Sequence, residues 1–515
     1  MSSLRHGSGV AIALMALGSI TSFGATVEGP TFTKDVAPIL FENCTSCHQP
    51  GQSAPMSLLS YREVRPWAKS IQKNVSERTM PPWHASSEFG TFSNDRSLTQ
   101  DEVDTIVNWV NAGTPRGDKA DMPALPELAT NGWSLGEPDL VVVYDTVSLP
   151  AGGADQFFDL FGDPKLDEDR WLTAVEMKPS NPLVAHHVIL YQMERGSGAS
   201  PNGWLGAWAA GAQPMAFQEG TGRLLKKGSK IVADMHYHPA ETAEEDALSV
   251  GLFFANDKSD IEKELVNLWI VNQDIDIAPG QENYVRNAEY TFKQDSQILS
   301  FLPHMHYRGR QFTYTAKYLD GRSETLLHVP AYDFSWQTQY QLAEPLSVPA
   351  GTVIACEARY DNSSNNPFNP DPTQRVTIGD ESFDEMMIGF IDYIVDDGMS
   401  PPDAGLVIEA KLEEFKRLDS DSTYSIKFAG QFPSALYLPV GSADAQWHIS
   451  ALGEAREIAI EKIAWSGNDF TADASQDILG TFTLVGTVDP VKGTVNGRVS
   501  TADGDMIPFY GKLAQ

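Results

Sequence analysis

Cysteine is scarce in this chain. There are three in 515 residues, two of them inside one pentapeptide, so the disulfide framework common in exported domains cannot form. Basic residues are also outnumbered, 37 Lys and Arg against 69 Asp and Glu, and the net charge of -32 repels nucleic-acid phosphates and anionic lipid surfaces. Nucleic acid is therefore excluded as a partner. Also missing is any apolar run of the ~20 residues that a membrane-spanning helix needs. The stretch Val10 to Ile20 falls short of that; Arg5 and His6 precede it, and the small residues Ser22, Gly24 and Ala25 follow. This order reads as a signal peptide over 1–24, which implies export to the periplasm or beyond and no membrane span afterwards.

What is present divides into several cores, since 515 residues exceed what one core serves. Residues 28–118 mix loops with helical periodicity, as in Val103, Ile106, Val107 and Val110 after Leu98-Thr99, ended by Asn111-Ala112-Gly113. A proline-containing linker, 119–137, follows. Short runs rich in Val, Ile, Thr and aromatics then dominate: Leu140–Leu149, Trp171–Lys178, Leu183–Met193, Lys230–His238, Leu248–Ala255, Val266–Ile277, Gln297–His306, Phe312–Leu319, Thr352–Tyr360 and Glu385–Val395. Asp320-Gly321 marks a hairpin. The expectation is a multidomain chain: a small all-α domain, then two β-sandwiches over 138–272 and 273–400, then a further β domain over 404–515.

Cys44-Thr45-Ser46-Cys47-His48 is the pentapeptide for covalent attachment of a c-type haem. Two thiols add to the haem vinyl groups, and the next residue sets an imidazole under the iron. A thioredoxin-like redox pair would want a βαβ setting, and zinc two further ligands. Met80, in Thr79-Met80-Pro81-Pro82-Trp83, is the leading sixth ligand, with Met56 and His84 as rivals. The run Cys44 to His84 resembles the cytochrome c modules fused to bacterial periplasmic enzymes. That resemblance implies a small all-α cytochrome c domain over 28–118, able to carry electrons but without an open position for oxygen.

Six of the eleven histidines fall in three tight groups: His186-His187, His236-Tyr237-His238 and His304-Met305-His306. Residues at i and i+2 on a strand share a face, so His304 and His306 can grip one ion, and His236 and His238 likewise. His186 and His187 should face opposite ways, so joint ligation demands a bulge or a strand end there. His328 and His448 stand alone and read as structural. All-imidazole sites with an added thioether favour copper over zinc or iron, which would bring a carboxylate or thiolate.

The order Ala185-His186-His187-Val188, Met235-His236-Tyr237-His238-Pro239, His304-Met305-His306-Tyr307-Arg308-Gly309 and Asp384-Glu385-Met386-Met387 resembles the type II copper, ascorbate-dependent monooxygenases. Dopamine β-hydroxylase and peptidylglycine α-hydroxylating monooxygenase belong to that family. Over Pro138 to Asp397 the resemblance implies two jelly-roll-like domains with two coppers facing each other across a water-filled cleft. It further implies an electron-transfer copper on His186, His187 and His236, and an oxygen-binding copper on His304, His306 and Met386, the catalytic set. His238 becomes an extra cleft-facing residue, while Met305 and Met387 pack. Departures bear on substrate: Leu302 stands where peptide-amidating relatives carry an arginine, and Ile388 and Phe390 replace an Asn and a Tyr, so an apolar or aromatic substrate is expected. Met387 also stands where a cysteine would pair with Cys356, which reads as a buried inert thiol.

The implied cofactors are one covalent haem c and two coppers. The implied partners are a small-molecule substrate, dioxygen and an external electron donor, ascorbate or a redox protein. The alternative is a non-catalytic haem/copper electron-transfer or copper-handling protein.

Overall fold

The computed structural model describes residues 29–50, 52, 54–126, 132–153, 155–193, 203–209, 214–379 and 382–396. In the last segment it describes 407–408, 423–428, 432–438, 446–451, 454–476, 480–489, 494–501 and 506–513. The expected signal peptide, 1–24, lies outside the described residues, as do 127–131 of the expected linker; Lys119–Asp121 within that linker form one short helical turn. The chain is mostly β-sheet with a few short helices, and among the described residues no helix is long and apolar enough to cross a membrane.

The helices gather near the start: Ala37–Asn43, Tyr61–Val64, Ala68–Ser76 and Gln100–Asn111. The last is set by a reciprocal cap, in which Thr99 accepts from the Glu102 backbone and Glu102 accepts from the Thr99 backbone. Its apolar spacing turns Val103, Ile106 and Trp109 onto Ile71, Val75, Phe32 and Leu40.

Beyond them lie two pairs of sheets. In the first pair, the strands Leu140–Val143, Leu248–Phe254, Arg170–Pro179, Thr221–Leu225 and Lys263–Glu264 form one sheet in that order. Gln156–Gly162, Lys230–Tyr237, Ala185–Met193 and Trp204–Ala209 form the other. Val175 and Leu252 from the one, and Val188, Leu190 and Met235 from the other, fill a shared core. In the second pair, Tyr340–Val348, Ser296–His304, Ile388–Val395, Val266–Val271 and Val407–Ile408 face Tyr284–Thr291, Val353–Tyr360, Gly309–Lys317 and Ser323–Val329. Phe301, Ile391, Tyr314 and Cys356 meet between them. The alternation along Val353–Tyr360 is strict, with Ile354, Cys356, Ala358 and Tyr360 inward. Ile388–Val395 is buried throughout, because its second face lies against the first pair of sheets.

The expected division at 272/273 does not coincide with the sheets. Val266–Val271, on its near side, hydrogen-bonds along its whole length with Ile388–Val395. Where the two pairs of sheets meet, Arg223 and Asp392 form a buried ion pair at 2.6 Å, and Asp392 also accepts from Asn267, Ser300 and Gln339. The helical part docks through residues 83–95. Trp83, Ala85 and Phe92 join the second core, and the Ser86, Ser93 and Ala343 amides bond to the carbonyls of His328, Gln341 and Thr91, each at 2.8 Å. In the last segment, eight antiparallel strands from Thr423–Phe428 to Met506–Leu513 close into a barrel around Trp447, Phe470 and Leu484.

Candidate metal centre

Two neighbouring strands supply three imidazoles. Register between Ala185–Met193 and Lys230–Tyr237 slips between Ala185 and His187, so His186 is the extra residue of a bulge, as joint use of adjacent histidines requires. His187 stands opposite His236. The Nδ1 atoms of His186 and His187 are 3.1 Å apart and those of His187 and His236 are 3.4 Å apart, with all three ligand atoms within 4.8 Å. Nitrogens ~2.0 Å from a divalent ion in tetrahedral array sit about 3.3 Å from one another. Two of the three nitrogen pairs therefore already stand at ligand spacing, and the third lies within 4.8 Å.

What orients them was not legible as a motif. His236 Nε2 donates to Asp155 Oδ2 at 2.9 Å, which leaves its Nδ1 lone pair facing the other rings. Ser382 donates to the same carboxylate at 2.6 Å and His238 Nδ1 to its other oxygen at 2.7 Å. Burial pushes the Asp155 carboxyl up, and the bonds from His236, Ser382 and His238 overcome it, holding it well below the usual carboxylate range. His238 is thus not a co-ligand of His236. Its side chain is 62% exposed and reaches the centre only through Asp155, because the strand ends at Tyr237.

The second pair is built differently. Ser296–His304 ends at His304, so His306 lies in the following turn and the two do not project from one strand as expected. The ring centroids are nonetheless 5.2 Å apart. His304 Nδ1 donates to Gln337 Oε1 at 2.7 Å, and His306 Nδ1 to the Asp384 carbonyl at 3.3 Å, so both Nε2 atoms are left free. Glu385 fixes the turn, its carboxylate accepting from the backbone amides of His306 (2.9 Å), Arg308 (2.5 Å) and Met386 (3.3 Å). Burial pushes Glu385 up to about 8, against these bonds. Burial likewise lowers His186 to about 3, His304 to about 4, and His187 and His306 well below the usual range; neighbouring histidines add to each. All four are neutral at pH 7, the form that ligates metal.

Met386 is buried, its amide sharing the Glu385 carboxylate with that of His306, within a cluster of Trp204, Trp269, Val271, Ile388 and Phe390, with Leu302 packed against it. The Phe390 ring is 6.4 Å from that of His304. The indole N–H groups of Trp204 and Trp269 are buried in this cluster without a hydrogen-bond partner. Met305 and Met387 are fully buried in the second core, and Cys356 is a free, buried thiol held well above its ordinary pKa by desolvation.

Among the described residues the two histidine groups lie close together, not across the open cleft that the resemblance implies. His187 and His304 have ring centroids 6.3 Å apart, and Gln337 and Phe334 fill the space between the groups. The contacts of Trp204 and Tyr191 with Trp269 and Phe390 close the two sheets on each other alongside. Neither Gln337 nor Phe334 belongs to a recognisable motif.

In the helical part, Cys44 caps Ala37–Asn43, and the Cys47 and His48 amides both bond to the Cys44 carbonyl (3.2 and 2.9 Å), which gathers the thiols and the imidazole in one turn. Both thiols are free, and burial pushes that of Cys44 up to about 12. His48 Nδ1 donates to the Met56 carbonyl at 3.2 Å, leaving Nε2 available for iron. It is the Met56 carbonyl that lies against His48. His84 is half-buried near Asp333 and Arg96. Met80 is half-buried at the end of the loop after Ala68–Ser76. His328 shares a hydrogen bond with Thr313 (2.9 Å), in keeping with a structural role.

No family model matches the chain, and no curated protein matches it either. Likeness to solved structures is faint. The infectious bursal disease virus Gx strain structure matches at 9% identity over 52% of this chain and 72% of that one, with a TM-score of 0.16. The VP2 subviral particle of the same virus matches at 10% over 55% and 88%, with a TM-score of 0.14. A mutant oxalate decarboxylase of Bacillus subtilis matches at 8% over 51% and 75%, with a TM-score of 0.11. Such scores say nothing about how this chain folds or acts.

Proposed function

We propose that the chain is a copper-dependent monooxygenase, related to the type II copper, ascorbate-dependent enzymes, that hydroxylates a C–H bond of a small apolar or aromatic molecule with dioxygen. Electrons would come from ascorbate or a redox protein through a fused c-type haem, which Cys44, Cys47, His48 and Met80 would hold. The observation that carries this reading is the convergence of the His186, His187 and His236 Nδ1 atoms, facing a second pair whose Nε2 atoms are free. When bound, copper supplies one-electron storage and a site for dioxygen, and haem a further one-electron store.

The chain's own residues do the rest. Asp155 and Ser382 lock the His236 tautomer, and the bulge at His186 turns two adjacent rings onto one point. Gln337 and the Asp384 carbonyl do the same for His304 and His306. Met386 is the soft third donor of the second set, a choice that favours reduced copper. Leu302, Ile388, Phe390, Trp204 and Trp269 keep water out and form an apolar wall, while the two indole N–H groups can hold an acceptor on the substrate. On this reading the two pairs of sheets are jelly-roll-like domains, 28–118 is a cytochrome c module, and the protein works in the periplasm or outside the cell.

One observation favours a second reading. The histidine groups are closed on each other, which suits a non-catalytic haem/copper electron-transfer or copper-handling protein. Metal analysis followed by turnover under labelled dioxygen separates the two. One haem and two coppers per chain, with label in an organic product, supports the enzyme. The same metals with no labelled product across a broad substrate screen support the carrier, and zinc in the copper sites overturns both.

A further inference from the structure

One face of the helical part differs sharply in charge from the chain as a whole. Between Tyr61 and Arg78 stand five basic residues, Arg62, Arg65, Lys69, Lys73 and Arg78, against Glu63 and Glu77, in a chain whose net charge is -32. The segment runs through Tyr61–Val64, the tight turn Arg65–Trp67 and Ala68–Ser76 without a break. Val64, Ala68, Ile71 and Val75 turn to the core, which leaves Arg62, Arg65, Lys69 and Lys73 exposed on the outside. Among the described residues Arg62, Arg65 and Lys69 form no ion pair, and Lys73 has only the exposed Glu77 at 4.0 Å, a pair of little worth. Trp67 lies within the same stretch and is 45% exposed, whereas the other ten tryptophans are buried or half-buried. Both ends of the stretch are tied to residues of the haem motif. Before it, the Met56 carbonyl accepts from His48 Nδ1 at 3.2 Å and the Leu58 amide donates to the His48 carbonyl at 3.0 Å. After it, the Thr79 and Met80 amides donate to the Asn74 carbonyl, beside Lys73, at 3.0 and 3.4 Å.

We propose that this face receives an electron-donating protein with an acidic surface, held by Arg62, Arg65, Lys69 and Lys73 around an apolar contact at Trp67. The proposal rests on the reading that haem occupies the Cys44–His48 motif. Complementary charge draws such a partner to this face, and the excess of carboxylates elsewhere turns it away from the rest of the chain, so charge selects the orientation. Tryptophan and arginine together are the residues that most often anchor protein interfaces. Arg62 to Lys73 spans roughly 16 Å of helix, a length that a small reductant does not need. A second copy of this chain is acidic enough to fit but brings an identical haem, and so no net supply of electrons. Each transfer moves one electron, the donor protein being oxidised as ferric haem becomes ferrous, with no bond made or broken.

The test uses the full-length protein with its haem oxidised, mixed without oxygen with one of two probes, and follows haem reduction by absorbance. One probe is a reduced, acidic plant-type ferredoxin; the other is photogenerated lumiflavin semiquinone, a small neutral reductant. At ~0.1 M salt, where fields reach about 10 Å, ferredoxin should reduce the Arg65→Glu, Lys69→Glu, Lys73→Glu triple variant roughly tenfold more slowly than the parent, while lumiflavin reduces both alike. The parent's ferredoxin rate should fall as salt rises and the variant's should not. Trp67→Ala should slow the ferredoxin reaction less and keep its salt dependence. A triple variant reduced by ferredoxin at the parent rate overturns the proposal, as does a parent rate indifferent to salt. A parent that sediments as a dimer where the triple variant is a monomer overturns it in favour of a second copy. Should lumiflavin also reduce the variant slowly, the haem has been disturbed, and the milder Arg65→Gln, Lys69→Gln, Lys73→Gln variant decides on the same outcomes. A parent that holds no haem defeats the underlying reading instead, and the recognition face falls with it.

Discussion

The two histidine groups use the same side chain and reach the same end by opposite means. His186, His187 and His236 converge because a sheet is locally irregular: one extra residue rotates His186 round to join its neighbour. His304 and His306 converge because a sheet stops; beyond His304 the chain is shaped by Glu385, which ties the turn to the backbone of Met386. The first group is held by a carboxylate behind one ring, the second by a carboxylate behind the main chain. Strand periodicity alone would have set His187 away from His186 and His306 beside His304 on one strand. In both groups the departure from regular geometry is what makes a site.

That contrast can be broken or sharpened experimentally. On the proposed reading, the largest effect expected is from His304→Ala, which should prevent a second copper from binding and leave copper binding at the three-histidine group in place, read by metal analysis after gel filtration. Loss of both metals would show that the groups are not independent. Next, Asp155→Ala should weaken copper at the three-histidine group by ~10–100-fold, the usual range for a partner behind a ligand, with the other group unchanged in a competitive chelator titration. Glu385→Gln should act on the other side only. It turns an acceptor into a donor against buried backbone amides, costing about 1–3 kcal/mol in denaturant melts and loosening the His304 and His306 copper. Equal weakening of both centres would erase the distinction drawn above.

The smallest effect concerns the docking segment. Burial lowers the His84 pKa from its ordinary 6.5. Below that value the unfolded chain binds the proton more readily than the folded one, so the stabilising contribution is present above about 6.5 and is lost as pH falls towards the lowered folded pKa. His84→Gln should flatten the pH dependence of thermal stability in that window; an unchanged slope would place its origin elsewhere.

Much of the β architecture was legible where a strand is buried on one or both faces. Val353–Tyr360 alternates and Ile388–Val395 is apolar throughout but for Asp392, and both patterns mark strands. Strands without such a face escaped. Tyr340–Val348 is an edge strand carrying Pro345, with a register shift that leaves residues between Gln341 and Leu346 out of the ladder. Gln156–Gly162 is half exposed and shows no clean alternation. Among the site residues, the histidines announced themselves by clustering in sequence. Asp155, Gln337 and Ser382 did not, since each is a single polar residue in a loop, and Asp155 lies 81 residues from His236 and 227 from Ser382.

The sequence by itself determined the chemistry on offer: a pentapeptide with the pattern of haem attachment, three histidine groups, an acidic chain and an apolar set around Met386. These are properties of residue type and short spacing, which no fold is needed to reveal. Only the tertiary structure decided which nitrogens meet, which ring nitrogen is tied up by a hydrogen bond, and that the two groups touch through Gln337 and Phe334 rather than face each other over water. Those outcomes depend on strand register and on loops packing across 150 residues of intervening chain, as between Gln337 and His187, where local pattern carries no information.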